Sequence, residues 1–399
     1  MLIGITGKPS VGKSAFFKAA TLAEVDIASH PFTTIKPNHA MGYVRVKCPA
    51  ENIYNKKCNP REGYCLDGER FVPIELLDVA GLVPGAHEGK GLGNQFLSDL
   101  ASADVLLHII DVSGSTNEKG EQVEDGSHDV TKDIEFLEEE LDLWFYDIFQ
   151  KVWGDLSKRI AAEKDDVRKA IFKQFSGLKI TEDQVQQALK ESKVNTEDVR
   201  SWKEEELKSF CKTLRQLSKP MIIVANKMDQ LTSEKNLKLL QKTYPNKLII
   251  PCSAESELAL KLAAKKEIID YVPGDDKFSI TNSDALNPEQ DKALDNITKY
   301  LDKYKSTGVQ EALNKSVFEF LEYMAIFPGG MSKLEDSKGN VLPDCFLLPK
   351  GSTALDFAYT IHSDLGEKFI KAMDVKSKRT VGKTHPLKHG DIVEILTSK

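Results

Sequence analysis

The sequence predicts a doubly wound α/β domain, interrupted by a helical insertion and followed by a small α+β module. Three observations predict it. Compact apolar runs at 2–6, 74–78, 105–111, 221–225 and 248–252 each end in polar residues, the pattern of parallel strands buried on both faces. Helix-periodic stretches separate several of these runs, so crossovers cover both faces of the sheet and ligands bind at the carboxyl ends of the strands. From Pro328 onward the pattern changes to short strands and turns, with LPDCFLLPKGS, TALDFAYTIHSDLG and HGDIVEIL as its pieces.

The elements follow in chain order. The run 2–6 meets a glycine-rich turn and then an apolar stretch over 14–22, giving strand, loop and helix. Between 129 and 219 the sequence becomes long, charged and helix-periodic, as in DIEFLEEELDLWFYDIFQKVW, without a strand-like run. Its mixed charges read as a solvated helix face, with a coiled-coil-like hairpin that touches a partner as the sharper alternative. The expected division is therefore 1–130 and 218–326 for the α/β domain, 131–217 for the insertion and 327–399 for the tail.

Composition narrows the class. With 399 residues the chain exceeds what one core usually serves, and 41% hydrophobic with 29% charged residues is a folded, globular balance. No apolar run approaches a membrane span, and MLIGITGKPS lacks the features of a secretory signal, so a cytoplasmic protein is expected. A net charge of -7 argues against a general nucleic-acid coat, and no DNA partner is expected, although a local basic patch can still meet RNA. The six cysteines read as reduced packing residues. Cys48, Cys58 and Cys65 cluster without a C-x₂-C pair, so their spacing alone does not specify a zinc site.

Chemistry concentrates at the strand ends. Gly7-Lys8-Pro9-Ser10-Val11-Gly12-Lys13-Ser14, with Ala15 continuing into the helix, fits G-x-x-x-x-G-K-[ST] in its required setting. Backbone N–H groups of such a loop surround a β-phosphate and the helix N-terminus adds positive charge. Lys13 is expected to reach the β/γ oxygens and Ser14 to ligate Mg²⁺. Asp78 and Gly81 form D-x-x-G, placing a carboxylate for a metal-bound water and an N–H for the γ-phosphate. Thr34, in HPFTTI, is expected to bring its hydroxyl to the metal and the γ-phosphate. Lys13, Thr34 and Gly81 are thus the expected catalytic set, and Ser14, Thr34 and Asp78 the metal set.

Asn226-Lys227-Met228-Asp229 follows MIIVA, and an aspartate there can accept from both guanine N1–H and the exocyclic amine, which adenine lacks. Cys252-Ser253-Ala254 at the next strand end is expected to offer a backbone N–H to guanine O6. Phosphate contacts are thus assigned to residues 7–15, and base contacts to Asn226, Lys227, Asp229, Ser253 and Ala254. Gly89-Lys90-Gly91-Leu92-Gly93 follows no strand and reads as a switch hinge rather than a dinucleotide fingerprint.

GKPSVGKS, HPFTTI, DVAGLVPGAHEGKGLGNQFL, NKMD and CSA together resemble the Obg-related translation-factor GTPases, most of all their YchF-type branch in archaea and eukaryotes. The tail FLLPKGSTALDFAYTIHSDLGEKFIKAM with HGDIVEIL resembles the TGS module of that branch. The resemblance implies a P-loop NTPase G domain, GTP or GDP as ligand with Mg²⁺, and a ribosome- or RNA-linked role through the tail and insertion. Leu82 stands where many GTPases carry a water-orienting glutamine, so slow intrinsic hydrolysis is expected. His87, His108, a partner or a monovalent cation are the candidate compensations, with His108 read first as a packed, hydrogen-bonded core histidine. Potassium-activated relatives carry asparagine where this chain has Ser10, which argues against potassium. Three readings follow: a GTPase timer, a nucleotide-dependent binding module with incidental cleavage, and an ATPase.

Overall fold

The computed structural model describes residues 1–22, 38–79, 101–336 and 338–398. Thr34, Gly81, Leu82, His87 and residues 89–93 lie outside them.

The expected parallel strands form at β1 (Leu2–Thr6), β4 (Glu69–Asp78), β5 (Val105–Asp111), β6 (Met221–Asn226) and β7 (Ile249–Pro251), with β2 (His39–Lys47) and β3 (Tyr64–Leu66) added at one side. The seven-stranded sheet runs β2-β4-β1-β5-β6-β7, and β3 pairs with β4. β4, β1, β5, β6 and β7 are mutually parallel, while β2 and β3 run antiparallel to β4. Every residue of β1 and β5 is buried, which is why their sequences are uninterrupted apolar runs. Because all five parallel strands point the same way, the carboxyl ends of β1, β4, β5, β6 and β7 lie at one end of the sheet.

Helix α1 (Lys13–Thr21) follows β1, and the short α2 (Pro49–Tyr54) lies between β2 and β3. The inserted segment is α3 (Thr131–Glu163), α4 (Val167–Gln174), α5 (Glu182–Ser192) and α6 (Glu204–Ser218). A projecting two-helix coiled coil is not what forms. The four helices pack around aromatic side chains, with Phe149 stacked on Phe175 at 3.6 Å and Trp153 on Trp202 at 4.7 Å between ring centroids. This core continues into Leu2, Leu77 and Leu106 of the sheet, so the helices form a layer on the G domain. Large aromatics at helical spacing on α3 bury more apolar surface against three short helices than a seam of two would. A buried ion pair, Arg215 to Asp142 at 2.6 Å, ties α6 to α3.

Helices α7 (Ser233–Thr243) and α8 (Ala254–Lys265) follow β6 and β7. After the two-residue strands β8 (Ile269–Asp270) and β9 (Ser279–Ile280), a second sheet is built from β10 (Tyr323–Pro328), β11 (Phe346–Pro349), β12 (Phe369–Asp374), β13 (Arg379–Val381) and β14 (Ile392–Thr397). Its order is β11-β10-β14-β12-β13. The sheet begins at Tyr323, upstream of the expected position 327, because YMAIFP pairs with both β11 and β14 as an interior strand of it. The helix Ala354–Ile361 covers this sheet, with Thr353 and Asp356 forming its capping box. Phe327, Val375 and Ile392 share one buried cluster with Val44, Val46 and Val72 of the G domain.

Candidate nucleotide-binding site

The loop between β1 and α1 takes its shape from two glycines. At Gly7 (φ 150°) a Cβ would stand 2.3 Å from the carbonyl oxygen of Ile109, and at Gly12 (φ 92°) it would stand 2.3 Å from Nδ2 of Asn226. No side chain fits either place. Ser10 takes φ 64°, and α1 begins at Lys13 immediately after the second glycine. Lys13 is half-buried and Ser14 exposed.

Asn226 ties three loops together. Its Nδ2 donates to the Val11 carbonyl at 2.9 Å, and its Oδ1 accepts from the Ala254 N–H at 3.0 Å. The structure thus makes Asn226 a clamp between the phosphate loop and the loop after β7. The Ala254 N–H expected for guanine O6 is engaged by Asn226 here, and the Ser253 N–H donates to the Thr307 carbonyl at 2.9 Å. Ser253 contributes its side chain: Oγ donates to Asp229 Oδ1 at 2.8 Å, while Gln230 donates to Oδ2 at 2.9 Å. The Asp229 carboxylate is exposed and held at both oxygens.

Lys8 keeps its main chain for the loop and commits its side chain elsewhere. Its side chain is buried and turns away from the loop's concave face, donating to the Thr116 carbonyl and to Asp133 Oδ1, each at 2.8 Å. Only its main chain remains for a phosphate. His128 reaches the same carboxylate through Nε2 at 2.8 Å. The phosphate loop is thereby fastened to the first turn of α3, where the insertion begins.

Asp111, at the end of β5, is the functional residue that sequence reasoning missed. It is fully buried and accepts from Ser115 Oγ, Thr116 Oγ1 and Lys227 Nζ, each at 2.9 Å, and from Ser113 Oγ. Burial pushes its pKa up, but the Ser113 and Lys227 partners outweigh that and hold it below the ordinary carboxylate value. Lys227 takes φ 64° and is committed to this pair. The signal was present: an acid ending the run VLLHII, followed by SGST.

Asp78 and Lys13 face each other electrostatically. Burial raises the Asp78 pKa, partly offset by Lys13, and burial lowers the Lys13 pKa, partly offset by Asp78. Desolvation outweighs mutual attraction for both partners, so each charge is under-compensated. Asp78 Oδ1 is buried without a hydrogen-bond partner among the described residues. An orphaned carboxylate oxygen at the strand end, beside the Lys13–Ser14 corner, suits a hard divalent cation, and a half-buried ammonium suits phosphate. The residues present fit Mg²⁺ and a nucleotide.

His108 is fully packed in β5, but the hydrogen bond expected for it is missing at Nδ1 among the described residues. Burial first, then Lys8 and Lys247, push its pKa down to about 3, so it is neutral near pH 7. It lines a cleft of about 270 Å³ shared with Gly7, Lys8, Asp133 and Phe136.

A glycine-shaped phosphate loop after β1, an acid at the end of β4 and a held aspartate after β6 define a P-loop nucleotide-binding protein. Residues 2–140 match the family described as 50S ribosome-binding GTPase, 224–329 the G4 motif-containing domain of YGR210-like Obg-like GTPases, and 338–397 the TGS domain. The chain is 46% identical over 398 residues to an uncharacterized GTP-binding protein of Methanocaldococcus jannaschii, covering 100% of this chain and 99% of that one. It is 26% identical to the ribosome-binding ATPase YchF of Buchnera aphidicola, covering 98% of each. The crystal structure of a GTP-binding protein from Pyrococcus horikoshii matches with a TM-score of 0.78 and 34% identity over 100% of both chains. This chain belongs to the YchF/Obg-like family of P-loop GTP-binding proteins. No helix among the described residues is long and apolar enough to cross a membrane.

Proposed function

We propose that the chain is a Mg²⁺-dependent GTPase that works as a nucleotide-controlled switch in ribosome or RNA association. The observation that carries this reading is the Asn226 clamp, which fixes the phosphate loop and the held Asp229 carboxylate in one frame. A guanine can then satisfy Asp229 with two donors while its phosphates lie along residues 7–15. Lys13 neutralises β/γ oxygens, and Ser14, Asp78 and Thr34 hold the cation. Bound Mg²⁺ supplies charge neutralisation of the transferring phosphoryl group. Gly81 and Thr34 make the contacts that cleavage of the γ-phosphate releases, which relaxes both segments and alters the surface offered to a partner.

With Leu82 unable to orient water and His108 neutral and packed, turnover is slow until a partner supplies a group or the site is completed by ligand binding. The Buchnera relative is named for ribosome binding and residues 338–397 match the TGS domain, which together support a ribosomal partner.

That relative, and the Obg-like ATPase 1 proteins at 26–27% identity, favour ATP as a second reading. Asp229 opposes it here, because adenine presents no pair of donors to a carboxylate. The deciding experiment measures affinity and single-turnover cleavage with GTP and with ATP, in sodium and in potassium, with and without ribosomes. Tighter GTP binding by at least about 100-fold and ribosome-stimulated cleavage are expected. Equal affinities would move the assignment to ATP, and cleavage at the spontaneous rate in every condition would leave a binding module.

A further inference from the structure

Three cysteines that sequence spacing left unassigned come together in space. Cys48 is the residue before α2, Cys58 lies in the loop that follows it, and Cys65 is in β3. Their sulfur atoms all lie within 4.8 Å of one another. Tetrahedral zinc with Zn–S bonds of about 2.3 Å needs sulfurs roughly 3.8 Å apart, within reach of small side-chain rotations. Ordinary packing does not require three sulfurs to converge, and a disulfide would use two and strand the third. All six cysteines are free thiols here.

A buried guanidinium stands beside Cys58. Arg70 is 1% exposed, and its Nη1 stands 3.7 Å from Cys58 Sγ. Its other contacts are carbonyl oxygens, Leu342 at 3.2 Å and Pro343 at 2.8 Å, and its Nε has no partner among the described residues. No carboxylate among the described residues pairs with this guanidinium. A buried cation without an anion is costly. Three thiolates around a divalent ion carry one net negative charge, which Arg70 balances.

We infer that Cys48, Cys58 and Cys65 hold a zinc ion through three thiolates, with a water at the fourth position and Glu51 beside Cys65. Glu51 Oε2 is 3.9 Å from Cys65 Sγ. Cys345 is not among the three sulfurs that converge within 4.8 Å of one another. The ion is structural. The loop carrying Cys58 receives the C-terminal module through Asn59 N–H to the Val341 carbonyl and Arg61 N–H to the Pro343 carbonyl, each at 2.9 Å. Fixing that loop fixes the seat of the module.

Elemental analysis of the full chain, purified without chelators, should find about one zinc per chain. Removing it and adding Co²⁺ under reducing conditions should give sulfur-to-cobalt charge-transfer absorption. Cys58→Ser and Cys65→Ser should lose the ion, while Cys211→Ser and Cys345→Ser keep it. Less than about 0.1 equivalent after reconstitution with Zn²⁺, or Co²⁺ bound without sulfur bands, overturns the site. So does a thiol titration in denaturant that finds two fewer than the six free cysteines, since that means a disulfide. If the ligand variants do not fold, the cobalt spectrum of the unaltered chain decides. None of these readouts involves nucleotide, so they stand apart from the GTPase reading.

Discussion

At the scale of the residue, the proposed base selectivity rests on one carboxylate and the hydroxyl that holds it. Asp229→Asn keeps the volume but removes the charge and one acceptor. With about 1.5–3 kcal/mol for each charge-assisted bond, GTP affinity should fall by at least about 100-fold in a competition titration. Xanthosine triphosphate should bind this variant better than GTP, because xanthine carries a carbonyl where guanine carries the amine, and the new amide can donate to it. Ser253→Ala removes the bond to Oδ1 together with the contacts to Ser256 that cap α8, so a loss of about 5-fold in GTP affinity is expected with a small loss of stability. His108 gives a prediction in pH. Its folded pKa, down to about 3, lies below an unfolded value of about 6.5, so the unfolded chain binds the extra proton between the two. Stability is therefore complete above about 6.5 and declines as pH falls, by about 2 kcal/mol at pH 5 from this residue. Denaturant midpoints of the unaltered chain and of His108→Phe, compared from pH 8 to 5, should converge toward acid. A constant gap would show that His108 is not buried neutral.

At the scale of the element, the strand ends act as one framework because Asp111 joins two of them. Asp111→Asn leaves the Lys227 ammonium without its anion and makes one acceptor a donor among three hydroxyl groups. A loss of about 3 kcal/mol in unfolding free energy is expected, together with weaker GTP binding because the 226–229 loop loses its anchor. Unchanged affinity in a folded variant would separate Asp111 from the site. The parallel strands were legible in the sequence because burial on both faces leaves an unbroken apolar run, and the phosphate loop because its glycines answer to steric demands at Gly7 and Gly12. β2 was not, since it lies at the side of the sheet and its residues alternate only in part between buried and half-exposed. The helices of the insertion were legible as periodicity, but their number was not: periodicity reports a buried face without saying what covers it. The place of the Lys8 side chain was not legible, because its partner Asp133 lies 125 residues away in the chain. The convergence of Cys48, Cys58 and Cys65 was hidden for a similar reason, as a cap, a loop and a strand bring them together.

At the scale of the whole molecule, the G domain and the C-terminal module are joined by a shared core, and this decides how a ribosomal or RNA role can be tested. Phe327, Val341, Leu342, Val375 and Ile392 pack in the cluster that holds Val44, Val46 and Val72. Deleting the tail from Pro328 onward would uncover several of these side chains, each worth about 1.5–3 kcal/mol of burial, so lost binding would be confounded with lost folding. Charge substitution avoids this. Lys376, Lys378, Arg379 and Lys383 are exposed around the β12–β13 hairpin, a basic group on a chain whose net charge is -7. Replacing these four with glutamine should leave the thermal midpoint and GTP affinity unchanged. If they meet phosphates, binding to ribosomes or RNA should weaken, and the slope of log affinity against log salt should flatten by about 0.7–0.9 for each contact removed. An unchanged slope would take the hairpin out of the interface and direct attention to the exposed faces of α3 through α6. The free energy that couples nucleotide state to the ribosome would then pass through the Lys8–Asp133 link between phosphate loop and insertion rather than through the tail.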